Sequence, residues 1–181
     1  MEAVYIDKHS GLISECKRGN RKAQFEIYKF YAKAMYNISL RIVNHEAEAE
    51  DVLQEAFLDA FTRLDTFREE TSFGLWLKQI VINKSINQLR KRKAELVSLE
   101  GVDISCEEVE EIDDAELVVT EIKEAMSKLS DGYRVVLTLY LFEGYDHEEI
   151  GHILKISENT SRSQYMRAKV KLKSLLTKRG V

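Results

Sequence analysis

Proline is absent from this 181-residue chain, and glycine occurs only 8 times. Because proline interrupts a helix and glycine weakens one, long helices meet few obstacles here. The chain also lacks an apolar run of about 18 residues and any segment that resembles a signal peptide. We therefore expect a cytoplasmic protein.

Cysteine and metal-ligand patterns are sparse as well. The two cysteines, Cys16 and Cys106, show no CxxC spacing, which suits a reducing compartment and favours inert thiols over nucleophiles. His147 and His152 lie about 140° apart around a helix, whereas a helical H-E-x-x-H zinc site needs its histidines four residues apart. Neither a nucleophile–base pair nor a glycine-rich phosphate loop is visible. The sequence therefore predicts no enzyme, no metal, no cofactor and no small-molecule substrate.

The net charge of −4 conceals a strong separation of charge along the chain. Residues 100–124 hold 11 acidic side chains and one lysine, whereas residues 155–181 hold 8 basic side chains and one glutamate. A second basic cluster occupies residues 90–93. Two basic patches on either side of an acidic segment indicate two contacts with a polyanion, although a charge run by itself is more often a solvated face.

The first half of the chain has the hydrophobic periodicity of helices. One apolar stripe recurs every three or four residues, at Phe25, Tyr28, Tyr31, Met35, Ile38 and Ile42. The pattern breaks at residues 44–46, and the next helix, AEAEDVLQEAFLDAFTRL, can bury one face. Its opposite face carries Asp51, Gln54, Glu55, Leu58 and Thr62. An acidic face with one exposed leucine at its centre is either solvated or a docking surface.

The following helix, SFGLWLKQIVINKSINQLRKRK (72–93), carries an unusual polar stripe. Trp76, Gln79, Asn83, Asn87 and Arg90 fall together at helical spacing. Asparagine is a poor helix former, so two in one stripe cost stability. The stripe is either an exposed polar edge or a face whose amides meet base edges and whose cations meet phosphates.

Residues 145–173, YDHEEIGHILKISENTSRSQYMRAKVKLK, have helix-turn-helix spacing. Asp146 and Glu149 predict a helix from His147 to about Leu154, and Ser157 predicts the start of the next one. One face of the second helix can pack inward, namely Ser161, Tyr165, Ala168, Leu172 and Leu175. The opposite face carries Asn159, Arg162, Ser163, Met166 and Lys173, with Arg167 at its edge. Long polar side chains there can reach base edges in a major groove, so the segment predicts binding to DNA.

These patterns predict an all-α protein made of two small helical domains. The first covers residues 9–93, and an acidic, flexible linker follows over residues 94–116. The second covers residues 117–178. It begins with a helix that continues through MSKLSDGYRVVLTLYLFEG and stops at Gly144.

Three segments carry a family resemblance: AEDVLQEAFLDAFTRLDTF (49–67), SFGLWLKQIVINKSINQLRKRK (72–93) and LSDGYRVVLTLYLFEGYDHEEIGHILKISENTSRSQYMRAK (129–169). They resemble the extracytoplasmic-function sigma factors, the smallest group of the sigma-70 family. With RKAQFEIYKFYAKAMYNISLRI, the resemblance covers nearly all of the chain outside the linker. It implies a subunit that binds core RNA polymerase, at its β′ clamp helices and β flap, and directs initiation at promoter DNA. It also implies an anti-sigma factor as a partner.

The resemblance further implies a role for each face. The docking face, Asp51, Gln54, Glu55 and Leu58, resembles the surface that binds the β′ clamp helices. The loop at residues 65–72 and the next helix are expected to melt and read the −10 element through Phe67, Arg68, Trp76, Asn83, Asn87, Arg90, Lys91 and Arg92. The −35 element is expected to meet Asn159, Thr160, Arg162, Ser163, Met166, Arg167, Lys169 and Lys173. The acidic linker is similar to those that thread the RNA exit path of the polymerase.

Three positions of the helix-turn-helix depart from the family pattern. Lys155 and Asn159 replace common glycines, and Ser161 replaces a common apolar residue. Lys155 strains the turn if its φ angle is positive. The alternative to a sigma factor is a helix-turn-helix regulator that does not bind core polymerase, which would need an effector domain or a dimer that reads paired half-sites.

Overall fold

The structure of the protein is a computed structural model that describes residues 9–98 and 114–177. Within those ranges every regular element is helical, as the sequence predicts. The chain divides into two compact units, Met1–Leu89 and Arg90–Val181. No helix in the described ranges has the length and hydrophobicity needed to cross a membrane.

The first unit is built from α1 (Ser10–Lys17), α2 (Arg21–Val43), α3 (Glu46–Thr62) and the start of α4 (Phe73–Ser98), with a 3-10 turn at Leu64–Thr66. Asn20 begins α2 by accepting hydrogen bonds from the backbone N–H groups of residues 22 and 23. The predicted break at residues 44–46 is confirmed. Asn44 adopts the left-handed conformation that ends α2, and the His45 ring accepts a hydrogen bond from the first turn of α3.

The core of the first unit contains fully buried side chains from α2 and α4, including Ile27, Ile42, Leu77, Val81 and Ile82. Two buried hydroxyls meet between these helices, since Ser85 Oγ donates to the carbonyl oxygen of Val81 at 2.8 Å and lies 3.2 Å from Ser39 Oγ. This core fixes α4 against α2.

The predicted apolar stripe of α2 is correct at its C-terminal end and wrong at its start. Met35, Ile38 and Ile42 are buried, but Phe25 is 59% exposed. Residues three apart differ by about 60° around a helix. Two such steps, from Tyr31 to Tyr28 and on to Phe25, therefore place Phe25 on the solvent side. Ile27 takes its place in the core.

The second unit contains the last turns of α4, then α5 (Asp114–Ser127), α6 (Asp131–Leu137), a π turn at Thr138–Phe142, α7 (His147–Leu154) and α8 (Glu158–Thr177). Met126, Leu129, Leu137 and Ala168 form a buried cluster, against which apolar side chains of α5, α6 and α8 pack. Gly144 adopts a φ of 78° and ends the helical segment, as predicted.

The prediction of one continuous helix up to residue 144 is wrong, because the chain turns a corner between α5 and α6. Ser130 is extended, with φ −59° and ψ 151°. The buried guanidinium of Arg134 stabilises the corner by donating to the carbonyl of Leu129 at 2.8 Å and to the carboxylate of Asp131. Burial lowers the pKa of Arg134, and the hydrogen bond with Asp131 opposes that shift.

The predicted domain limits of 93, 94–116 and 117–178 stay a prediction. α4 continues to Ser98 and α5 begins at Asp114, so both helices extend into the range predicted as linker. Residues 99–113, which include Cys106, and residue 178 lie outside the described residues. Cys16 is buried, and this burial raises the pKa of its thiol, in keeping with an inert role.

Candidate docking face and nucleic-acid interface

The docking face lies on the solvent side of α3. Asp51, Gln54, Glu55 and Leu58 are all exposed, and Leu58 exposes 68% of its surface one turn beyond Gln54 and Glu55. α3 contains six acidic residues and no basic one. The helix therefore presents an acidic surface around one apolar side chain that its own fold does not need.

Glu55 of the docking face and the neighbouring Asp59 contact a cation from α4. Lys84 Nζ lies 3.0 Å from Asp59 Oδ2 and 3.4 Å from Glu55 Oε2. Asp59 also receives the guanidinium of Arg63 at 3.3 Å. Lys84 was not predicted as part of this site, because only the packing of α4 on α3 brings residues so distant in sequence together.

An aromatic cluster lies at the start of α4, next to the loop that precedes it. The ring centroids of Phe67 and Trp76 are 5.3 Å apart, and those of Phe73 and Trp76 are 5.6 Å apart. Phe67 is only 4% exposed, so the structure does not fit its predicted role as a direct DNA contact. Because its ring fills the space beneath the half-buried Trp76, Phe67 supports that side chain instead. Arg68, next in the chain, is exposed.

The polar stripe of α4 is present as predicted. Asn83, Asn87 and Arg90 are exposed, Gln79 is half-buried, and Gln79 Nε2 donates to Asn83 Oδ1 at 3.5 Å. Two more of the predicted contacts follow on the same helix, where Lys91 is exposed and Arg92 half-buried. The helix therefore carries an aromatic ring, amides and then cations along its length.

The helix-turn-helix is confirmed in detail. Asp146 Oδ1 accepts from the N–H of Glu149 at 2.8 Å, and Glu149 Oε2 accepts from the N–H of Asp146 at 2.8 Å. Lys155 ends α7 in the left-handed conformation, with φ 58° and ψ 47°. The backbone strain expected from a lysine in place of the family's common glycine is therefore present. Ser157 Oγ then accepts from the N–H of Thr160 at 3.1 Å at the start of α8.

Gly151 permits the close approach of α7 to the start of α8. A Cβ atom at this position would lie 2.9 Å from the backbone oxygen of Ile156 and 3.5 Å from the backbone nitrogen of Glu158. No role was predicted for Gly151. The only signal was a glycine in the middle of a short helix, where it lowers helix propensity.

The two faces of α8 separate as predicted. Ser161 and Ala168 are buried, and Tyr165, Leu172 and Leu175 are half-buried in the core. All the predicted −35 contacts are exposed, namely Asn159, Thr160, Arg162, Ser163, Met166, Arg167, Lys169 and Lys173. Arg162 Nε donates to Glu158 at 3.0 Å, and Lys169 Nζ lies 5.4 Å from the centre of the Tyr165 ring. The outer face is therefore polar and basic.

A buried histidine explains the unusual Ser161 on the inner face of α8. His147 Nδ1 lies 3.0 Å from Ser161 Oγ, and its ring stacks on Tyr140 with centroids 4.6 Å apart. An apolar side chain at position 161 would leave this buried imidazole without that hydrogen bond. His152 is exposed, so the two histidines face different ways, as their spacing predicts.

Comparisons with known proteins agree with this architecture. Residues 27–95 match the family Sigma-70 region 2, and residues 120–172 match Sigma-70, region 4. The chain is 30% identical to the ECF RNA polymerase sigma factor SigW of Bacillus subtilis over 176 residues, which cover 91% of this chain and 94% of SigW. It is 34% identical to the ECF RNA polymerase sigma factor SigM of the same organism over 160 residues, 86% of this chain and 96% of SigM.

Two solved structures have a similar fold. The sigma factor RpoE from Bartonella quintana, in complex with the anti-sigma factor NepR, aligns with a TM-score of 0.65 at 24% identity, over 84% of this chain and 95% of RpoE. CnrH, in complex with the cytosolic domain of CnrY, aligns with a TM-score of 0.56 at 25% identity, over 92% of this chain and 95% of CnrH.

Two sigma-70 regions in one helical chain define a transcription initiation factor of the sigma-70 class. The chain belongs to the ECF RNA polymerase sigma factors, as its relatives along almost the whole length show. It is a sigma factor, a regulator of transcription that binds core RNA polymerase and promoter DNA. A helix-turn-helix regulator without polymerase binding is not favoured, because the matches include the first unit as well.

Proposed function

We propose that three exposed faces divide the work of initiation. The docking face of α3 binds the β′ clamp helices, the polar stripe of α4 opens and reads the −10 element, and the outer face of α8 reads the −35 element. The exposure of all four docking residues, Leu58 among them, carries the proposal. Exposed apolar surface rimmed by polar groups is typical of a protein-binding site.

The α4 face suits bases that have left the duplex. Trp76 rests on buried Phe67 and Phe73, and aromatic rings of this kind stack on unpaired bases. Asn83 lies two turns further along the helix, and its amide carries both a donor and an acceptor for a base edge. The cations Arg90 to Arg92 then contact phosphates, which position the strand without reading its sequence.

The α8 face suits a closed duplex. Arg162 and Met166 lie about 40° apart around the helix, with Lys173 between them, so one groove can admit all three. Arginine reads guanine through two hydrogen bonds in the major groove, whereas a lysine near the helix end neutralises phosphate. We assign Arg162 as a reader and Lys173 as an anchor.

The second unit offers a further surface to the polymerase. Leu141 and Phe142 expose 51% and 50% of their surfaces on the π turn. Two neighbouring exposed apolar side chains favour a protein contact, and the β flap is the partner that we propose for them.

An anti-sigma factor is the partner that we propose for the protein when it is inactive. CnrH was solved with the cytosolic domain of CnrY, and RpoE with the anti-sigma factor NepR. A membrane-anchored inhibitor would cover the faces described above until a signal releases it. The protein then works in the cytoplasm, where core polymerase and promoter DNA are found.

Transcription in vitro tests the proposal. Purified core polymerase with the wild-type chain should start transcription on a subset of genomic fragments. The double variant Asp51→Lys with Glu55→Lys should lose binding to core polymerase and this activity, because it reverses the charge of the docking face. Its helicity should stay unchanged by circular dichroism.

A matched control keeps the charge change and moves it off the docking face. Glu46→Lys with Glu50→Lys alters the same helix at exposed positions outside the docking face, and should leave core binding within about twofold of wild type, as expected for surface changes away from an interface. Wild-type binding by the Asp51 and Glu55 variant would show that the docking assignment is wrong.

A further inference from the structure

Lys84 stands between the docking face and the −10 face. It follows Asn83 in α4, yet its ammonium points to α3 and contacts Asp59 at 3.0 Å and Glu55 at 3.4 Å. The side chain of Lys84 is 22% exposed, whereas that of Glu55 is 68% exposed. A partner that approaches Glu55 therefore meets a solvent-exposed carboxylate that is already paired with Lys84 of α4.

We propose that Lys84 is a cation shared by the two faces. In the free protein the carboxylates of α3 hold it. When a basic partner surface takes Glu55, Lys84 is released and contacts a phosphate of the −10 strand. This inference rests on the proposed function, since it needs the docking face and the −10 face to be assigned correctly.

The exchange costs little free energy. Glu55 is 68% exposed, so solvent screens its ion pair with Lys84, and a cation from the partner replaces the one that leaves. Asp59 keeps the guanidinium of Arg63 at 3.3 Å after Lys84 has left. The carboxylates of α3 are therefore paired with as many cations after Lys84 has moved away as before.

The released ammonium would lie at the edge of the proposed reading stripe, on the side of Asn87. Lys84 lies about 60° around α4 from Asn87 and about 20° from Lys91, so it borders the proposed reading stripe. A lysine side chain is long and flexible and carries its charge at the tip, which suits contact with phosphate. By linkage, any gain in DNA affinity that docking produces through Lys84 equals the gain in docking affinity that DNA produces.

The variant Lys84→Met tests the proposal, because it keeps the length of the stem and removes the charge. Affinity for core polymerase should be equal to wild type or a few-fold tighter, since no lysine has to be displaced. Open-complex formation by the holoenzyme, on a genomic fragment that the wild-type protein transcribes, should be weaker. A plot of the logarithm of the equilibrium constant for open-complex formation against the logarithm of salt concentration should be less steep by about 0.7–0.9. This is the value for one lost phosphate contact.

Two controls separate charge from packing. Lys84→Arg keeps the charge and should restore the wild-type salt dependence, whereas Lys84→Gln should behave like the methionine variant. Lys33→Met removes an exposed lysine of α2 and should change neither measurement.

Weaker core binding by Lys84→Met would overturn the proposal, since it would mean that Lys84 orients the docking carboxylates. An unchanged salt dependence of opening would overturn it as well. Both results differ from a failure of the proposed function, in which the Asp51 and Glu55 variant would bind core polymerase like wild type.

Discussion

The two candidate DNA faces are built in different ways. On α4 the reading side chains are an aromatic ring and short amides, and the ring rests on buried Phe67 and Phe73. On α8 the eight proposed contact residues are exposed and half of them are long cations, and rigidity comes from the packed inner face of the helix. A supported ring suits unpaired bases, whereas long polar side chains on a rigid helix suit the groove of a duplex.

The largest expected effect comes from removing the support beneath Trp76. Phe67→Ala should destabilise the first unit by about 3–5 kcal/mol, because it deletes a buried ring. Trp76 is the only tryptophan of the chain, so its emission should shift to longer wavelength as water reaches the indole. Urea denaturation followed by tryptophan fluorescence measures both changes.

Phe25→Ala is the matched control for this variant. It removes the same side chain from a position that is 59% exposed, so stability should change by less than about 1 kcal/mol. A loss of stability as large as that of Phe67→Ala would mean that Phe25, too, is part of the core.

A smaller effect on the α8 face is expected from Gly151→Ala. The new Cβ would lie 2.9 Å from the backbone oxygen of Ile156, which cannot move without shifting the turn. We expect a loss of about 1–3 kcal/mol and weaker binding to −35 duplex DNA, measured by thermal unfolding and fluorescence anisotropy.

Gly132→Ala shows whether the loss comes from this close contact. The nearest atom to a Cβ at position 132 lies 3.9 Å away, so the substitution should be neutral or slightly stabilising. Equal losses for the two variants would contradict the role assigned to Gly151.

Arg162 and Lys173 of α8 are expected to contribute to DNA binding in different ways. Arg162→Ala should cost about 1–3 kcal/mol on the preferred −35 sequence and relax discrimination, if the arginine reads a base. Lys173→Ala should weaken binding to all sequences alike and reduce the salt dependence. Titrations against a panel of −35 duplexes distinguish them, and identical behaviour would contradict the division into reader and anchor.

Relief of backbone strain at Lys155 should raise the free energy of unfolding by about 1 kcal/mol. Lys155 adopts φ 58°, so Lys155→Gly should stabilise the second unit. Asn44→Gly changes a residue with φ 54°, but asparagine tolerates this conformation, so the gain should be smaller. Thermal unfolding of both variants makes the comparison, and a larger gain at position 44 would contradict it.

The smallest effect on stability is expected at Asn83. Asn83→Ala should stabilise α4 by a few tenths of a kcal/mol, since alanine is the better helix former. The same variant should nevertheless lose transcription from fragments that the wild-type protein uses. A loss that shrinks on a template with a mismatched −10 region would assign Asn83 to opening, and a loss that persists would assign it to base recognition. Wild-type activity on both templates would make the stripe a simple polar edge.

Local signals predicted the helix-turn-helix residue by residue. Asp146, Gly144 and Ser157 act through hydrogen bonds or φ angles within their own turn, so the sequence shows them directly. The corner at Ser130 was missed because neither proline nor a change of hydrophobic period marks it. A buried arginine from the next turn completes this corner.

The remaining parts of the site depend on packing between helices. Phe67 was predicted to contact the −10 element from the loop at residues 65–72, but aromatic neighbours from α4 enclose it. Lys84 and Glu55 are 29 residues apart in sequence, and no pattern within either helix predicts their contact. The hydrogen bond between His147 and Ser161 likewise forms only because α7 packs on α8, so neither residue predicts it alone.

The π turn at Thr138–Phe142 has a consequence for how the surface of the second unit can evolve. A π turn holds one more residue than an α-helical turn, so all that follows it is rotated by about 100° relative to a regular helix. Deletion of one residue there would restore the regular repeat and turn a different pair of side chains outward in place of Leu141 and Phe142. A change in chain length, with no change of residue type, would thus replace the apolar surface offered to a partner.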